Sequence, residues 1–342
     1  MSATPTDYRK QIDFMKSVTV VIPNWNGREY LKTCLDSLKN QDTDDFEILV
    51  IDNASEDGSA EFIRENYPKV RLLSEESNLG FSGGVNEGIK NSETPYVLLL
   101  NNDIEADPGF VRNLTAAIEK DDRIFSVSSR MINFRERELM DDAGDLYTIL
   151  GWAFQRGVGQ KTSDSRYLKP QKVFSACGGA SIYRRKVFDE IGLFDLKHFA
   201  YLEDLDVGYR ALLAGYRNMY EPSAIVYHIG SGASGATKYS DFKVRISARN
   251  SIYVPWKNMP FFQRILNAPF LALGRVIKRR FFKKLGFSAA YDEGVREGFE
   301  TRGETDRVPF SRKRFFRYFY IEFLLIYNTF VYAADYFRRR GL

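Results

Sequence analysis

The feature that most restricts the fold is a regular alternation of short apolar runs and amphipathic segments between residues 18 and 100. Residues 18–22 form a continuous run rich in β-branched side chains, which predicts a buried strand, and residues 28–39 place apolar side chains at helical spacing. Further apolar runs at 48–51, 70–73 and 96–100 alternate with helical segments at 60–67 and 85–91. This alternation predicts an α/β fold with a mostly parallel sheet and helices on both faces.

The regular alternation weakens after residue 125, and the polar, glycine-rich segment 141–172 suggests no clear elements. A strand region is predicted over 173–183, interrupted by Gly178 and Gly179, followed by helices near 185–191 and 205–214 and a strand over 219–227. We therefore expect a polar leader at 1–16, a catalytic α/β domain at 17–260 and a helical extension at 261–342.

Polar side chains follow three of the predicted strands at the point where each strand ends. In open α/β sheets the ligand crevice lies beyond the carboxyl ends of the strands. A carboxylate at Asp52 could accept a hydrogen bond from the imide N–H of uracil or thymine, whereas the nearby Asp57 is equally consistent with a helix cap. Asp103 suits a hard cation such as Mg²⁺ or Mn²⁺, with a solvated turn aspartate as the alternative. The strand-end candidates are Pro23, Asn24 and Asn26, then Asp52, and finally Asn102 and Asp103.

A glycine-rich segment that includes Asn78, Gly80 and Gly84 precedes the predicted helix at 85–91. A turn leading into a helix could direct backbone N–H groups toward phosphate. The dinucleotide-binding fingerprint instead requires its glycines directly after the first strand, so the pattern argues against a nicotinamide-dependent oxidoreductase.

Three further candidates lie in the second half of the chain. His228, one of two histidines, ends an apolar run and could supply a second metal ligand, although a lone histidine at a strand end is usually structural. Glu203 and Asp204 precede an amphipathic helix. They would either stabilise its N-terminus or provide a general base for an acceptor hydroxyl.

These motifs together resemble glycosyltransferase family 2, closest to its bacterial rhamnosyltransferase-like branch. The resemblance covers roughly residues 17–260 and implies the GT-A nucleotide-binding fold. The residues that carry it are Pro23-Asn24-Trp25-Asn26-Gly27, residues 78–88, Leu99-Leu100-Asn101-Asn102-Asp103, Gly178-Gly179-Ala180, Glu203-Asp204-Leu205-Asp206 and Tyr227-His228.

The resemblance also implies a role for individual residues. Asp52 would contact the pyrimidine base, Asp103 would be the metal aspartate of the Asp-x-Asp motif, and His228 would contact the metal or the diphosphate. Asp204 would be the catalytic base. Asn101 stands where many relatives have the first aspartate of that motif. The implied contacts to the nucleotide sugar are Pro23, Asn24, Asn26, Asp52, Asn78, Gly80, Gly84, Asn102, Gly179 and Glu203.

The expected activity is metal-dependent, inverting transfer of a sugar from a nucleotide diphosphate to a hydroxyl of a lipid-linked or cell-surface glycan. L-Rhamnose from dTDP-rhamnose is the preferred donor, and UDP-galactose or UDP-N-acetylglucosamine are the alternatives. A non-catalytic glycan- or nucleotide-binding protein is the alternative of another class. Nucleic acid is not an expected partner, because the acidic residues of the predicted crevice would repel its phosphates.

The segment 261–342 differs from the rest of the chain in charge and aromatic content. It holds 17 Lys and Arg against 8 Asp and Glu, together with 20 of the 50 aromatic residues. Residues 261–287 interleave apolar and basic side chains, as expected of a basic amphipathic helix that lies in a membrane interface. A buried packing or oligomer helix and a membrane span are the alternatives. The N-terminal leader has no apolar core typical of signal peptides, and the two distant cysteines are expected to be free thiols, so we expect a cytoplasmic protein peripheral on an anionic inner membrane face.

Overall fold

The computed structural model describes residues 16–230 and 239–339, so the predicted leader lies outside the described residues except for Lys16. The strands are β1 (Val18–Asn24), β2 (Phe46–Asp52), β3 (Arg71–Ser74), β4 (Tyr96–Leu100), β5 (Ile104–Ala106), β6 (Ile124–Asn133), β7 (Met140–Asp142), β8 (Asp145–Tyr147), β9 (Ala153–Gln155), β10 (Gln171–Val173), β11 (Ala180–Arg184) and β12 (Arg217–His228). The α-helices are α1 (Arg28–Lys39), α2 (Ser59–Asn66), α3 (Gly80–Lys90), α4 (Phe110–Glu119), α5 (Val187–Ile191), α6 (Glu203–Ala214), α7 (Asp241–Asn258), α8 (Phe261–Lys284), α9 (Ser288–Thr301) and α10 (Phe315–Arg339).

One sheet organises the molecule, in the strand order β10-β12-β6-β11-β4-β1-β2-β3. Strands β1 to β4, the first four along the chain, run parallel to one another, as the alternation in the sequence predicts. β11 then runs antiparallel between β4 and β6, so the complete sheet is mixed. β8 and β9 form a separate two-stranded sheet.

Both faces of β1 are buried, which explains its uninterrupted apolar sequence. Val20 packs in one core with α1 and α4, whereas Val21 packs in a second core with α3 and α6. Successive side chains of a strand point to opposite faces, so a strand between two helical layers requires apolar residues at every position.

Helix α3 begins at Gly80, five residues before the predicted start, so most of the glycine-rich segment is helix rather than a turn. Gly80 has φ +71°, and a Cβ there would lie 2.6 Å from the carbonyl oxygen of Phe199. A Cβ at Gly88 would lie 2.1 Å from a methyl group of Val21. These glycines therefore permit close packing of α3 against the sheet and the loop that contains Phe199.

The segment 141–172, which the sequence left unassigned, contains β8, β9 and parts of β7 and β10. Each of these strands has only three residues, too few to show a period of two.

The C-terminal helices pack on the α/β core. Tyr318, Ile321 and Leu325 of α10 are buried in a cluster with Tyr147 and Tyr209. Helix α9 packs against α7, so helices on both sides of residue 260 share contacts. Within residues 16–230 and 239–339, no helix combines the length and hydropathy needed to cross a membrane.

Candidate active site

A hydrogen-bond network joins the carboxyl ends of three strands at one edge of the sheet. The side chain of Asn24 donates to Asp52 at 3.0 Å and to Ser55 at 3.1 Å, and it accepts from Asn102 at 2.7 Å. Parallel register places Asn24 beside Asp52, which explains why residues distant in sequence meet here. The network holds these polar side chains at the carboxyl ends of the strands, which is where ligands bind in open α/β sheets.

A cavity of about 870 Å³ opens at this edge. Its volume falls within the range of roughly 300–1,000 Å³ that is common for small-molecule sites. The predicted residues that line it are Pro23, Asn24, Asn78, Gly80, Asn102, Asp103, Gly179, Glu203, Asp204 and His228.

Three predicted nucleotide-sugar residues lie close to the cavity without lining it: Asn26, Asp52 and Gly84. Asp52 is buried and accepts hydrogen bonds from Asn24 and from the backbone of Ser55. Asn26, at φ 49°, accepts the N–H of Glu56.

Asp57 accepts the backbone N–H groups of Arg28 and Ser59, the first residues of α1 and α2. This is the helix-stabilising alternative that the sequence left open for Asp57.

His228 lies between two carboxylates at the cavity wall. Its Nε2 is 3.4 Å from Oδ2 of Asp103, and its Nδ1 is 2.5 Å from Oδ2 of Asp141. Antiparallel pairing of β12 with β5 places His228 opposite Ile104, directly after Asp103. Burial lowers the pKa of His228, but hydrogen bonds and charges of Asp103 and Asp141 outweigh burial and raise it to about 10.

The Asp103 and His228 pair fits a divalent metal ion that displaces the proton of the His228 ring, because only a neutral imidazole has a free lone pair at Nε2. A carboxylate oxygen and an imidazole nitrogen face each other across the cavity wall, and a ligand pair of this type suits Mn²⁺. Asp141 holds the opposite ring nitrogen, the arrangement by which carboxylates orient metal-binding histidines. Asp141 was not among the residues singled out from the sequence.

Asp204 lies at the start of α6, on the wall of the same cavity. Its carboxylate accepts the backbone N–H groups of Gly178 at 3.1 Å and Leu205 at 2.7 Å. Burial raises the pKa of Asp204, although these hydrogen bonds oppose the shift. Burial and the charge of Asp204 raise the pKa of Glu203 well above its usual range. A partly buried carboxylate with an elevated pKa is suited to accept a proton.

The loop before α6 has an unusual backbone that a neighbouring helix holds in place. Phe199, Tyr201 and Leu202 all have φ between 61° and 69°, a region that residues other than glycine seldom adopt. The side-chain nitrogen of Asn250 in α7 lies 2.9 Å from the carbonyl oxygen of His198 and 2.7 Å from that of Tyr201. Strain of this kind is typical of functional sites.

Gly178 and Gly179 are closely packed as well as bordering the cavity. A Cβ would lie 3.1 Å from the ring of Phe81 at Gly178, and 3.2 Å from the side chain of Asn101 at Gly179. Close packing therefore accounts for both glycines, besides the space that they leave in the cavity.

A second acidic group, which sequence reasoning missed, lies beside Asp204. Oxygens of Asp142 and Asp145 and the sulfur of Cys177 all lie within 4.8 Å of one another. Burial raises the pKa of Asp145 well above its usual range and that of Asp142 to about 8, with further contributions from neighbouring carboxylates. The closely spaced aspartates of segment 141–145 were the available signal, but no strand was evident around them.

The family model described as "Glycosyl transferase family 2" matches residues 19–192, half of the 342-residue chain. The matched segment includes the strand-end asparagines, Asp103 and the Asp142 and Asp145 group.

Two curated relatives extend this similarity. An N-acetylglucosaminyl-diphospho-decaprenol L-rhamnosyltransferase of Mycobacterium tuberculosis is 27% identical over 237 residues, 63% of this chain and 77% of the relative. A low-salt glycan biosynthesis hexosyltransferase of Haloferax volcanii is 24% identical over 314 residues, 87% of this chain and 96% of the relative.

A solved structure supports the fold. The mannosyltransferase of Pyrobaculum calidifontis, in complex with GDP-Man and Mn²⁺, matches with a TM-score of 0.54 at 15% identity. The match covers 84% of this chain and 88% of the mannosyltransferase.

Proposed function

Because this chain belongs to glycosyltransferase family 2 and has the GT-A fold, we propose that it inverts the anomeric configuration as it transfers a sugar from a nucleotide diphosphate to a glycan hydroxyl. The observation that carries the proposal is the shared cavity, which brings the pair Asp103 and His228 together with the half-buried carboxylate of Asp204. In a single displacement, the cation site would act on the departing diphosphate and the base on the attacking hydroxyl.

Asp103 and His228 are proposed to hold Mn²⁺ or Mg²⁺. A divalent cation, when bound, would neutralise the negative charge that develops on the departing diphosphate. Asp141 would keep the His228 ring oriented, because it holds Nδ1 and leaves Nε2 toward Asp103.

Asp204 is proposed as the general base. Its carboxylate takes the proton of the acceptor hydroxyl while that oxygen attacks the anomeric carbon on the face opposite the diphosphate. The N–H groups of Gly178 and Leu205 hold the carboxylate in position, and burial makes it a stronger base than an exposed aspartate. One displacement of this kind inverts the anomeric centre and needs no covalent enzyme intermediate.

The preferred donor is dTDP-rhamnose, and the preferred acceptor is a sugar linked to a polyprenyl diphosphate. The similarity to the mycobacterial L-rhamnosyltransferase supports both choices. UDP-galactose and UDP-N-acetylglucosamine are the alternative donors. Asp52 remains the proposed contact to the nucleobase. Asn24 lines the cavity and donates to Asp52, which does not line it, so the base would have to pass Asn24 to contact Asp52.

We also propose that α8 and α10 hold the enzyme on an anionic membrane surface. Helix α8 buries polar residues and exposes apolar ones: Gln263 and Asn267 donate to Glu322 of α10, whereas Leu266 and Phe270 are exposed. This pattern is the reverse of that in an ordinary surface helix. An apolar surface outside the protein would account for it.

Helix α10 has two apolar faces. One face packs on the domain, and the opposite face exposes Phe316, Phe323 and Phe330, with Phe316 82% exposed. Helix α8 and the residues directly before α10 also carry exposed basic side chains, as expected of interfacial helices. They include Arg280, Lys283, Lys284, Arg312 and Lys313.

Tyr332 of α10 packs against the wall of the cavity. Its ring packs against Phe154 of β9, which lines the cavity, with ring centroids 5.1 Å apart. Helix α10 therefore carries the exposed aromatic residues and also supports a residue of the cavity wall.

The decisive experiment incubates the purified chain with dTDP-rhamnose, UDP-galactose and UDP-N-acetylglucosamine, with Mn²⁺ and an N-acetylglucosaminyl-diphospholipid acceptor. Release of nucleoside diphosphate that depends on the acceptor would support transfer, and NMR of the product would report the anomeric configuration. Binding of a nucleotide sugar without release under any condition would favour a non-catalytic binding protein.

A further inference from the structure

We propose that Asp145, with Asp142 behind it, forms a subsite that binds the hydroxyl groups of a sugar ring in the cavity. This inference rests on the proposed glycosyl transfer and assigns recognition of one of its sugar substrates to residues outside the metal pair and the base.

The backbone places Asp145 rigidly at the cavity. Its N–H donates to the carbonyl of Ser175 at 3.0 Å, and its carbonyl accepts from Phe174 at 2.9 Å and Ser175 at 3.2 Å. The same segment continues to Gly178, whose N–H binds Asp204. Residues 174–178 therefore hold the carboxyl groups of Asp145 and Asp204 in a fixed relationship, next to the same space.

Several carboxyl oxygens in this group lack partners, although Oδ1 of Asp142 accepts the backbone N–H of Gly144. Within the described ranges 16–230 and 239–339, Oδ2 of Asp142 and Oε2 of Glu203 are buried and have no hydrogen-bond partner. The same part of the chain supplies no hydrogen bond to the carboxyl group of Asp145, which lines the cavity. Buried polar groups are rarely left unpaired in folded proteins, so the carboxyl groups that line the cavity, those of Asp145 and Glu203, indicate a ligand that supplies hydrogen-bond donors.

Sugar hydroxyl groups suit this site because each can donate and accept. Ionised carboxylates accept hydrogen bonds from hydroxyls, and protonated carboxyls donate to them. Burial is the main cause that raises the pKa of both Asp142 and Asp145, and a raised pKa favours the protonated carboxyl that donates to a sugar oxygen. Phosphate is an unsuitable ligand because the surrounding carboxylates would repel its charge.

The test compares the wild type with Asp145→Asn and Asp145→Ala. Calorimetry measures the dissociation constants of the nucleoside diphosphate and of the nucleotide sugar, both with Mn²⁺, and kinetics measures KM for the diphospholipid acceptor. Asp122→Asn, which alters an aspartate with a 93% exposed side chain, is the matched control.

We expect Asp145→Ala to weaken the binding of one sugar substrate by about 10-fold or more, the usual scale for losing a hydrogen bond to a charged group. If the donor sugar occupies the subsite, the nucleotide sugar loses affinity while the nucleoside diphosphate does not. If the acceptor sugar occupies it, only the acceptor KM rises. Asp145→Asn should lose less in either case, because an amide retains hydrogen-bonding capacity.

Three results would overturn the subsite. The first is unchanged affinity for both sugars in Asp145→Ala, and the second is an equal loss for the nucleoside diphosphate and the nucleotide sugar. The third is a stoichiometric metal ion, measured by mass spectrometry, that disappears in both Asp145→Ala and Cys177→Ser. Failure of the proposed transfer would instead show in the wild type, as an absence of nucleoside diphosphate release.

Discussion

The Nε2 atom of His228 lies 3.4 Å from a carboxylate oxygen of Asp103, with the opposite ring nitrogen held by Asp141. Pairing of β5 with β12 creates this contact between distant parts of the chain. The contact gives the proposed cation site its two ligands and leads to separate expectations for each of them.

Asp103→Ala should lower metal-stimulated turnover by at least about 100-fold, because the diphosphate would lose its electrostatic stabilisation. Chelation of the wild type with EDTA should reproduce the loss, and Asp122→Ala should leave turnover unchanged. Full activity in excess EDTA would remove the metal from the mechanism.

His228→Ala should impair the same metal-dependent step less severely than Asp103→Ala, because water can replace a neutral ligand more readily than a carboxylate. We expect the Mn²⁺ concentration for half-maximal activity to rise by about 10-fold or more. Asp141→Asn should give a smaller shift in the same direction. An unchanged Mn²⁺ midpoint in His228→Ala would indicate a purely structural histidine.

Asp204→Asn should lower turnover by roughly 10²–10⁴-fold, the scale for loss of a general base. Donor and metal binding should change little, because asparagine has nearly the same size as aspartate and its one carbonyl oxygen can still accept the N–H group of Gly178 or of Leu205. Single-turnover kinetics with saturating substrates measures the chemical step directly. Near wild-type rates there would exclude Asp204 as the base.

The double variant Leu266→Glu and Phe323→Glu should reduce co-sedimentation with phosphatidylglycerol vesicles, because it places charge on the exposed apolar faces of α8 and α10. Leu196→Glu alters an equally exposed leucine outside these helices and is the matched control. High salt should also release the wild type, since each basic residue near an anionic surface contributes about 1 kcal/mol. Equal binding of the variant and the wild type would contradict the membrane surface.

Removal of the C-terminal helices is a poorer test of membrane binding than these surface substitutions. Tyr318, Ile321 and Leu325 of α10 are part of a buried core with Tyr147 and Tyr209, so truncation at residue 260 would expose that core.

Gly88→Ala should destabilise the protein by about 1–3 kcal/mol, because the added methyl group would lie 2.1 Å from Val21 in a filled core. The same substitution in an exposed helix is normally stabilising. Urea denaturation measures the change, and Gly303→Ala, where a Cβ meets nothing within 4 Å, is the control. Combination with Val21→Ala should recover part of the loss; a stabilising effect of Gly88→Ala alone would contradict the packing.

The location of much of the candidate site could be predicted from strand ends alone. Asn24, Asn102 and Asp103 follow apolar runs, and parallel strands bring their carboxyl ends to one edge. Asp204 was also identifiable, as an acidic residue before an amphipathic helix. Asp141 and Asp145 were missed because short strands of three residues carry no readable periodicity.

Burial in the C-terminal helices could not be read from their composition. The sequence of α8 shows basic and apolar residues interleaved, but only the packed structure shows that Gln263 and Asn267 turn inward toward Glu322. A polar side chain can be buried when another helix supplies its hydrogen-bond partner. Here that partner is Glu322, which is more than 50 residues away in the sequence.

The elements of the α/β core and the polar character of its strand ends follow from the sequence, because hydrophobic periodicity and strand-end chemistry are local properties. The contacts of His228 with Asp103 and Asp141, and the position of Asp145 beside Asp204, become visible only in the folded chain. These contacts depend on pairing between distant segments, and local periodicity does not specify which segments pair.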